Sequence, residues 1–159
     1  MASMRWKALA GVGVFVTGVA VGGYLFAESQ PRSFVEVSQC HDNCYRSDQL
    51  LGLLASAGIQ RVSAAVPFVS METDRCLAVR MPRSSYLVHY VVFPKKDIKD
   101  IADVSVEDQP YVLDCLDVIR SIVKEDGLKG YRVITNGSGM QDIAYLHFHI
   151  VVEKEAEQG

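Results

Sequence analysis

The chain is 159 residues long, with 16 basic and 19 acidic side chains and a formal charge of −3. That length fits one modest domain plus an appendage. The charges are mixed and form no basic stripe, which excludes a nucleic-acid backbone as partner and leaves a small anionic ligand open.

The first predicted element is a membrane helix in residues 1–27. Ala8 to Phe26 is an unbroken apolar and small-residue run with Thr17 its only clearly polar side chain. At ~1.5 Å per residue it is about long enough to cross a ~30 Å hydrocarbon layer. Arg5 and Lys7 precede it, and no acidic residue appears before Glu28. Positive charge is retained inside, so the remainder is expected on the non-cytoplasmic side of a single-pass membrane protein. A bacterial periplasm is favoured, with the mitochondrial intermembrane space as the alternative. Gly18 and Gly22 form a small-xxx-small pair through which two copies could dimerise. A cleavable signal peptide or a presequence is the rival reading. Leu25-Phe26-Ala27 is a poor cleavage site because Leu25 is bulky, and a presequence calls for more Arg and Ser.

Residues 28–61 read as a linker followed by a short helical element. Pro31 and Ser33 mark the linker. Leu50, Leu51, Leu53, Leu54 and Ala57 can share one helical face, and Gly58 is a natural stop. This element is expected to pack on the main domain or on a partner. Cys40 and Cys44 lie four apart, close enough on a helix for a bridge, which an oxidising compartment permits. Free thiols and a metal shared with His41 are the alternatives, but the ligand set is too small for a zinc site. Cys76 and Cys115 sit in apolar contexts and read as ordinary core thiols.

Residues 62–153 form the main domain, and 154–159 a charged tail. Cys76 to Val79 is a predicted strand, Met81 to Ser85 a turn, and Tyr86 to Phe93 a strand ended by Pro94. Ser105 resembles a helix N-cap, although Pro110 could instead be the first helical residue. Val112, Cys115, Leu116, Ile119, Ile122 and Val123 recur at helical spacing up to Gly127. Tyr131 to Thr135 is a strand, 136–139 a glycine-bearing loop, and Ala144 to Val152 the last strand. The order strand, strand, helix, strand, strand predicts an α+β fold, an antiparallel sheet with a packed helix.

The last strand carries the chemistry. Alternation puts Leu146, Phe148 and Ile150 on one face and Tyr145, His147, His149 and Val151 on the other. His89 sits mid-strand in the other strong strand, so the two strands suggest a converging site. A single strand histidine is most often held by a backbone carbonyl or left at the surface. A metal between His147 and His149 is a further alternative, with Asp142 the nearest carboxylate and nothing obvious to complete the shell.

The run Gln141-Asp142-Ile143-Ala144-Tyr145-Leu146-His147-Phe148-His149 resembles the signature of the histidine triad (HIT) family. His89-Tyr90-Val91-Val92-Phe93-Pro94-Lys95-Lys96 is similar to that family's strand ending in Pro-Lys, and Cys76 to Val79 and Gly130 to Asn136 match its flanking strands. The resemblance covers roughly Pro67 to Val152. It implies a HIT-like fold and a nucleotide or phosphate hydrolase or transferase, with no cofactor and no metal. It implies that His147 is the nucleophile on phosphorus, that His149 contacts phosphate oxygens, that Tyr145 supports them, and that His89, Asn136, Ser138 and Gln141 line the ligand site. An imidazole suits nucleophilic attack because its ordinary pKa is ~6.5. The partner is then a phosphorylated small molecule or nucleotide. The chain departs from the family pattern in three places. Tyr145 stands at the first triad histidine, Met81 where an acidic residue grips ribose, and Asp142 where hydrolases often carry a hydroxyl. These departures favour the alternative function, a non-catalytic HIT-fold module that binds a small anion or serves a membrane assembly.

Overall fold

A computed structural model of the chain describes residues 2–35 and 46–154. The expected Cys40–Cys44 bridge and His41 lie outside the described residues. The first element, α1 (Ala2–Phe26), contains Leu9–Phe26, a stretch long and apolar enough to cross a membrane and wholly unburied by the rest of the chain. The Cβ positions of Gly18 and Gly22 face open space.

Five strands form one antiparallel sheet in the order β1-β2-β3-β5-β4. They are β1 (Val69–Glu72), β2 (Cys76–Arg80), β3 (Val88–Pro94), β4 (Tyr131–Ile134) and β5 (Phe148–Val152). Four of them answer to predicted strands. The fifth, β1, is a mostly exposed edge strand of four residues; Val69 and Met71 alternate with Ser70 and Glu72, but over a run too short to stand out as a strand. The last strand begins at Phe148 rather than Ala144. Residues 144–146 bond outside the sheet instead: the Ala144 amide donates to the Asp48 carbonyl at 3.0 Å and the Leu146 amide to the Ile98 carbonyl at 2.6 Å.

One face of the sheet carries Cys76, Ala78, Tyr90, Val92, Phe148 and Ile150, packed against α3 (Gln109–Glu125). The two readings of this helix's start combine. Ser105 and Asp108 make a capping box around the 3-10 turn Val106–Asp108, and Pro110 then occupies the first turn of α3. Cys115, Ile119 and Ile122 are buried as expected, whereas Leu116 remains 45% exposed. Cys76 and Cys115 are not free thiols. Their Cα atoms are 5.3 Å apart and their sulfurs are bonded, which staples β2 to α3 through the middle of the core. Spacing could not reveal this pair, because 39 residues separate its members and only the packing of α3 brings them together.

The other face is covered by α2 (Ser47–Arg61), the predicted short helix, which continues three residues past Gly58. It packs on this domain, with Ile59 against Leu77, Val79 and Tyr145. Gly52 makes the contact possible: a Cβ there would lie 2.4 Å from the Ala144 carbonyl oxygen. The segment read as a linker is pinned as well. Arg32 and Asp97 form an ion pair with side chains 1% and 0% exposed. The Gln30 amide donates to the second Asp97 oxygen at 2.7 Å, and Arg32 also donates to the Ala144 carbonyl at 2.7 Å.

Two stability measurements test these constraints. Reducing the Cys76–Cys115 bond, or substituting Cys115→Ala, is expected to lower unfolding stability by about 4 kcal/mol, the chain-entropy value for a loop of this size. Arg32→Met, which leaves the Asp97 carboxylate buried and unpaired, is expected to cost about 3–5 kcal/mol. The double variant Arg32→Met, Asp97→Leu is expected to recover most of that loss in chemical denaturation.

Candidate active site

The face of the sheet beneath α2 presents His89 from β3, His149 from β5 and His147 from the residue preceding β5. The β3–β5 register pairs Val91 with His149 and His89 with Val151, so His89 and His149 are diagonal neighbours on one face. His89 Nε2 lies 3.0 Å from His149 Nδ1, and His89 Nδ1 lies 2.9 Å from the Ser84 hydroxyl. The His147 and His149 rings meet edge to face, with centroids 4.8 Å apart. Ser84, His89, His149 and His147 thus form one continuous row.

His147 is only 6% exposed. Its Nδ1 lies 2.6 Å from the backbone carbonyl of Tyr145. A carbonyl can only accept, so Nδ1 carries the hydrogen and Nε2 keeps its lone pair. The backbone therefore fixes the tautomer a nucleophile needs. Thr135 donates to the His147 carbonyl at 2.9 Å and holds the same residue from the β4 side.

Burial sets the charge of the row. His149 is pushed down to about 4, first by burial and then by the neighbouring His147 and His89, with Asp142 opposing. Burial also lowers His147, against the Tyr145 carbonyl and the Asp142 charge, and it lowers His89. The row is neutral at neutral pH. When the Ser84 hydroxyl donates to His89 Nδ1, His89 Nε2–H donates to His149 Nδ1. His149 then presents Nε2–H outward as a neutral donor.

His147 and His149 close one end of a cleft of about 950 Å³ between α2, the 66–68 segment and the sheet. Ala55, Gly58, Ile59, Val66 and Phe68 make its walls largely apolar, and Arg83 and Asp142 are its charged members.

The other residues expected at the site are distributed differently. The Tyr145 ring is fully buried and stacks on Phe93, and its hydroxyl donates to the Pro94 carbonyl. Burial raises its pKa well above the ordinary phenol value. Tyr145 reaches the site through its backbone carbonyl and not through its phenol. Ser138 and Gln141 line a second, polar cavity of about 450 Å³ with Asp48, Lys99 and Asp100. The Ser138 amide donates to the Asp100 carboxylate, so this part of the loop is already occupied. Asn136 lies two residues beyond Ile134, which pairs with His149. Sequence reasoning missed Ser84 and Arg83. Both sit in the turn before β3, where nothing marks them out until His89 is placed. Among the described residues no three His, Cys, Asp or Glu side chains, the histidine row included, are arranged to hold a metal ion.

The sequence model of the HIT domain family matches residues 65–156. A HIT family hydrolase from Legionella pneumophila Philadelphia 1 superposes with a TM-score of 0.54 at 27% identity, covering 60% of this chain and 90% of that one. A histidine triad protein from Clostridium difficile gives 0.54 at 28% identity, covering 72% and 97%. An uncharacterized HIT-like protein of Synechococcus elongatus is 32% identical over 83 residues, 50% of this chain and 73% of that protein. A HIT-like protein of Chlamydia muridarum is 30% identical over 67 residues, and the match spans only 53% of its length.

The lowered imidazole pKa values set a pH dependence. For a histidine whose folded pKa lies below its unfolded value of 6.5, the unfolded chain binds more protons once pH falls below that value. Stability is therefore complete above pH 6.5 and is lost as pH falls toward 4. Thermal unfolding of the full chain in detergent, followed by circular dichroism across that window, is expected to show a falling midpoint. The fall is expected to be shallower in His149→Gln.

Proposed function

The chain belongs to the HIT domain family, and on that premise we propose that it is a membrane-anchored hydrolase or transferase of phosphorylated small molecules, with His147 as nucleophile. The observation that carries this reading is the 2.6 Å bond from His147 Nδ1 to the Tyr145 carbonyl, which leaves Nε2 unprotonated inside the cleft. Nε2 bonds to phosphorus as the P–O bond to the leaving group breaks. The leaving oxygen departs with the electron pair and takes a proton from solvent. Water then adds to phosphorus, the N–P bond breaks, and its electron pair returns to Nε2. The proton released by water balances the one taken by the leaving group, so the net reaction consumes one water.

The Tyr145 carbonyl stabilises the positive imidazolium formed when Nε2 is phosphorylated, because Nδ1–H points at it. His149 offers a neutral N–H to a phosphate oxygen, oriented by His89 and Ser84. His89 and Ser84 are positioning residues in this reading. Tyr145 contributes a backbone acceptor and core packing in place of a third imidazole. The Legionella relative carries the name of a hydrolase, and its 27% identity and shared fold lend support to this reaction class.

Anchoring through α1, with the domain on the non-cytoplasmic side, is part of the proposal. Trp6 and Tyr24 sit near opposite ends of the apolar stretch, where amphipathic rings favour the two interfaces. The buried Cys76–Cys115 bond fits an oxidising compartment. A second reading, a module that binds an anion without turning it over, is favoured by one observation: the glycine-loop amide of Ser138 is already bound to Asp100.

Trapping the intermediate separates the two readings. The full chain in detergent, given a radiolabelled phosphoanhydride, is expected to accumulate acid-labile, base-stable phosphate on His147. His147→Ala is expected to lose that label and to lower turnover by at least about 1,000-fold, the scale on which loss of a covalent nucleophile is felt. Turnover that persists in His147→Ala would overturn the mechanism. Binding without label or turnover in the wild type would put the binding module first.

A further inference from the structure

The apolar cleft and the apolar helix are neighbours. The Arg61 guanidinium, at the end of α2, lies 5.0 Å from the ring centroid of Tyr24 near the end of α1. Arg61 also pairs with Glu28 at 3.3 Å, just past the end of α1. Gly58 and Ile59 precede Arg61 by three and two residues, and both line the cleft. The stretch of α2 that lines the cleft thus lies within one helical turn of Arg61, the residue whose side chain touches the end of α1. The pinned 28–35 segment keeps it there, because Arg32 and Gln30 are bound to Asp97.

The mouth of the cleft is built for an apolar environment. Phe68 is 63% exposed and Met81 is 40% exposed, and both belong to the cleft lining. Phe68 is the only non-glycine among the described residues with positive φ, at 60°. A bulky side chain in that conformation is strained, and strain of this kind collects at ligand-binding segments. The cleft's polar members are few. His147, His149, Asp142 and Arg83 line it together with the apolar Ala55, Ile59, Val66 and Phe68. A hydrophilic phosphate ester would leave the apolar wall wet. A molecule with a phosphate head and an apolar tail matches both the imidazoles and the apolar wall, and Arg83 adds positive charge to the same cleft.

We propose that the cleft takes a phosphorylated amphiphile drawn from the membrane that holds α1, with its head at His147 and His149 and its tail along α2 toward Phe68. The catalytic part of this inference rests on the His147 reading given above. The apolar recognition does not, and the two can be tested apart.

The full-length chain is reconstituted into phosphatidylcholine vesicles and offered alkyl diphosphates with ethyl, octyl and hexadecyl tails, alongside adenosine diphosphate. Turnover is read as phosphate release, and affinity as competition with a fluorescent octyl diphosphate. Each methylene placed in the cleft is worth about a fourfold gain in affinity. Affinity is therefore expected to rise by at least about tenfold from ethyl to octyl, with the hexadecyl compound the preferred substrate in turnover. Gly58→Leu probes the wall without threatening the fold, since the Gly58 Cβ position meets open space. It is expected to erase the tail preference. His147→Ala is expected to abolish turnover and keep the preference in binding. Equal affinity for all tails, or tighter binding of adenosine diphosphate than of the octyl compound, overturns the proposal. If adenosine diphosphate is then turned over in a His147-dependent way, the catalytic reading survives alone. A tail preference with no His147-dependent turnover of any compound upholds the amphiphile site and overturns the catalytic reading.

Discussion

The short stretch Ala144–Leu146, which feeds β5, is the constraint on which the site depends. It leaves the sheet pattern, yet its backbone groups find partners elsewhere in the fold. The Ala144 amide goes to α2, its carbonyl to Arg32, and the Leu146 amide to the Ile98 carbonyl. The Tyr145 phenol reaches the Pro94 carbonyl, and its own carbonyl takes the His147 proton. Buried backbone polar groups must be satisfied, so these bonds fix one conformation. Arg32 is the keystone, because its charge is neutralised only by the equally buried Asp97. An unpaired partner would carry the full desolvation penalty. The amino-terminal segment is thereby part of the machinery that aims His147.

Burial has two effects at the histidine row, and they act together. It removes water, which lowers the pKa of each ring and keeps His147 and His149 neutral. It also means that orientation comes from fixed hydrogen bonds rather than from charge. The Tyr145 phenol is withdrawn from the row and donates to the Pro94 carbonyl. It adds a large packed ring beneath α2, stacked on Phe93. The Tyr145 side chain thus serves the packing of this face.

The same helix that buries Tyr145 also forms the cleft. α2 approaches the 144 segment closely at Gly52, and Ala55, Gly58 and Ile59 on its later turns line the apolar cavity. Because Arg61 ties the end of α2 to the end of α1, cavity and apolar helix have a defined relation.

The sequence by itself determined the α+β class, the apolar amino-terminal helix, four of the five strands, the packed α3 and the shared face of His147 and His149. Each of these is a local property, set by period-two or helical spacing or by length of apolar run. The run Tyr145 to His149 together with the Pro-Lys strand also carried the family. Tertiary structure alone decided the rest. Alternation put the Tyr145 phenol beside the imidazoles, but the break in β5 before Phe148 turned it into the core. Apolar contexts made Cys76 and Cys115 read as core thiols, whereas they are bonded to each other across 39 residues. Ser138 and Gln141 looked like ligand-loop residues and belong to a different cavity, because Asp100 holds the loop. Arg32 looked like linker and is buried. In each case the deciding partner is distant in sequence, and no local pattern encodes a contact whose other half arrives only when the sheet and helices close around it.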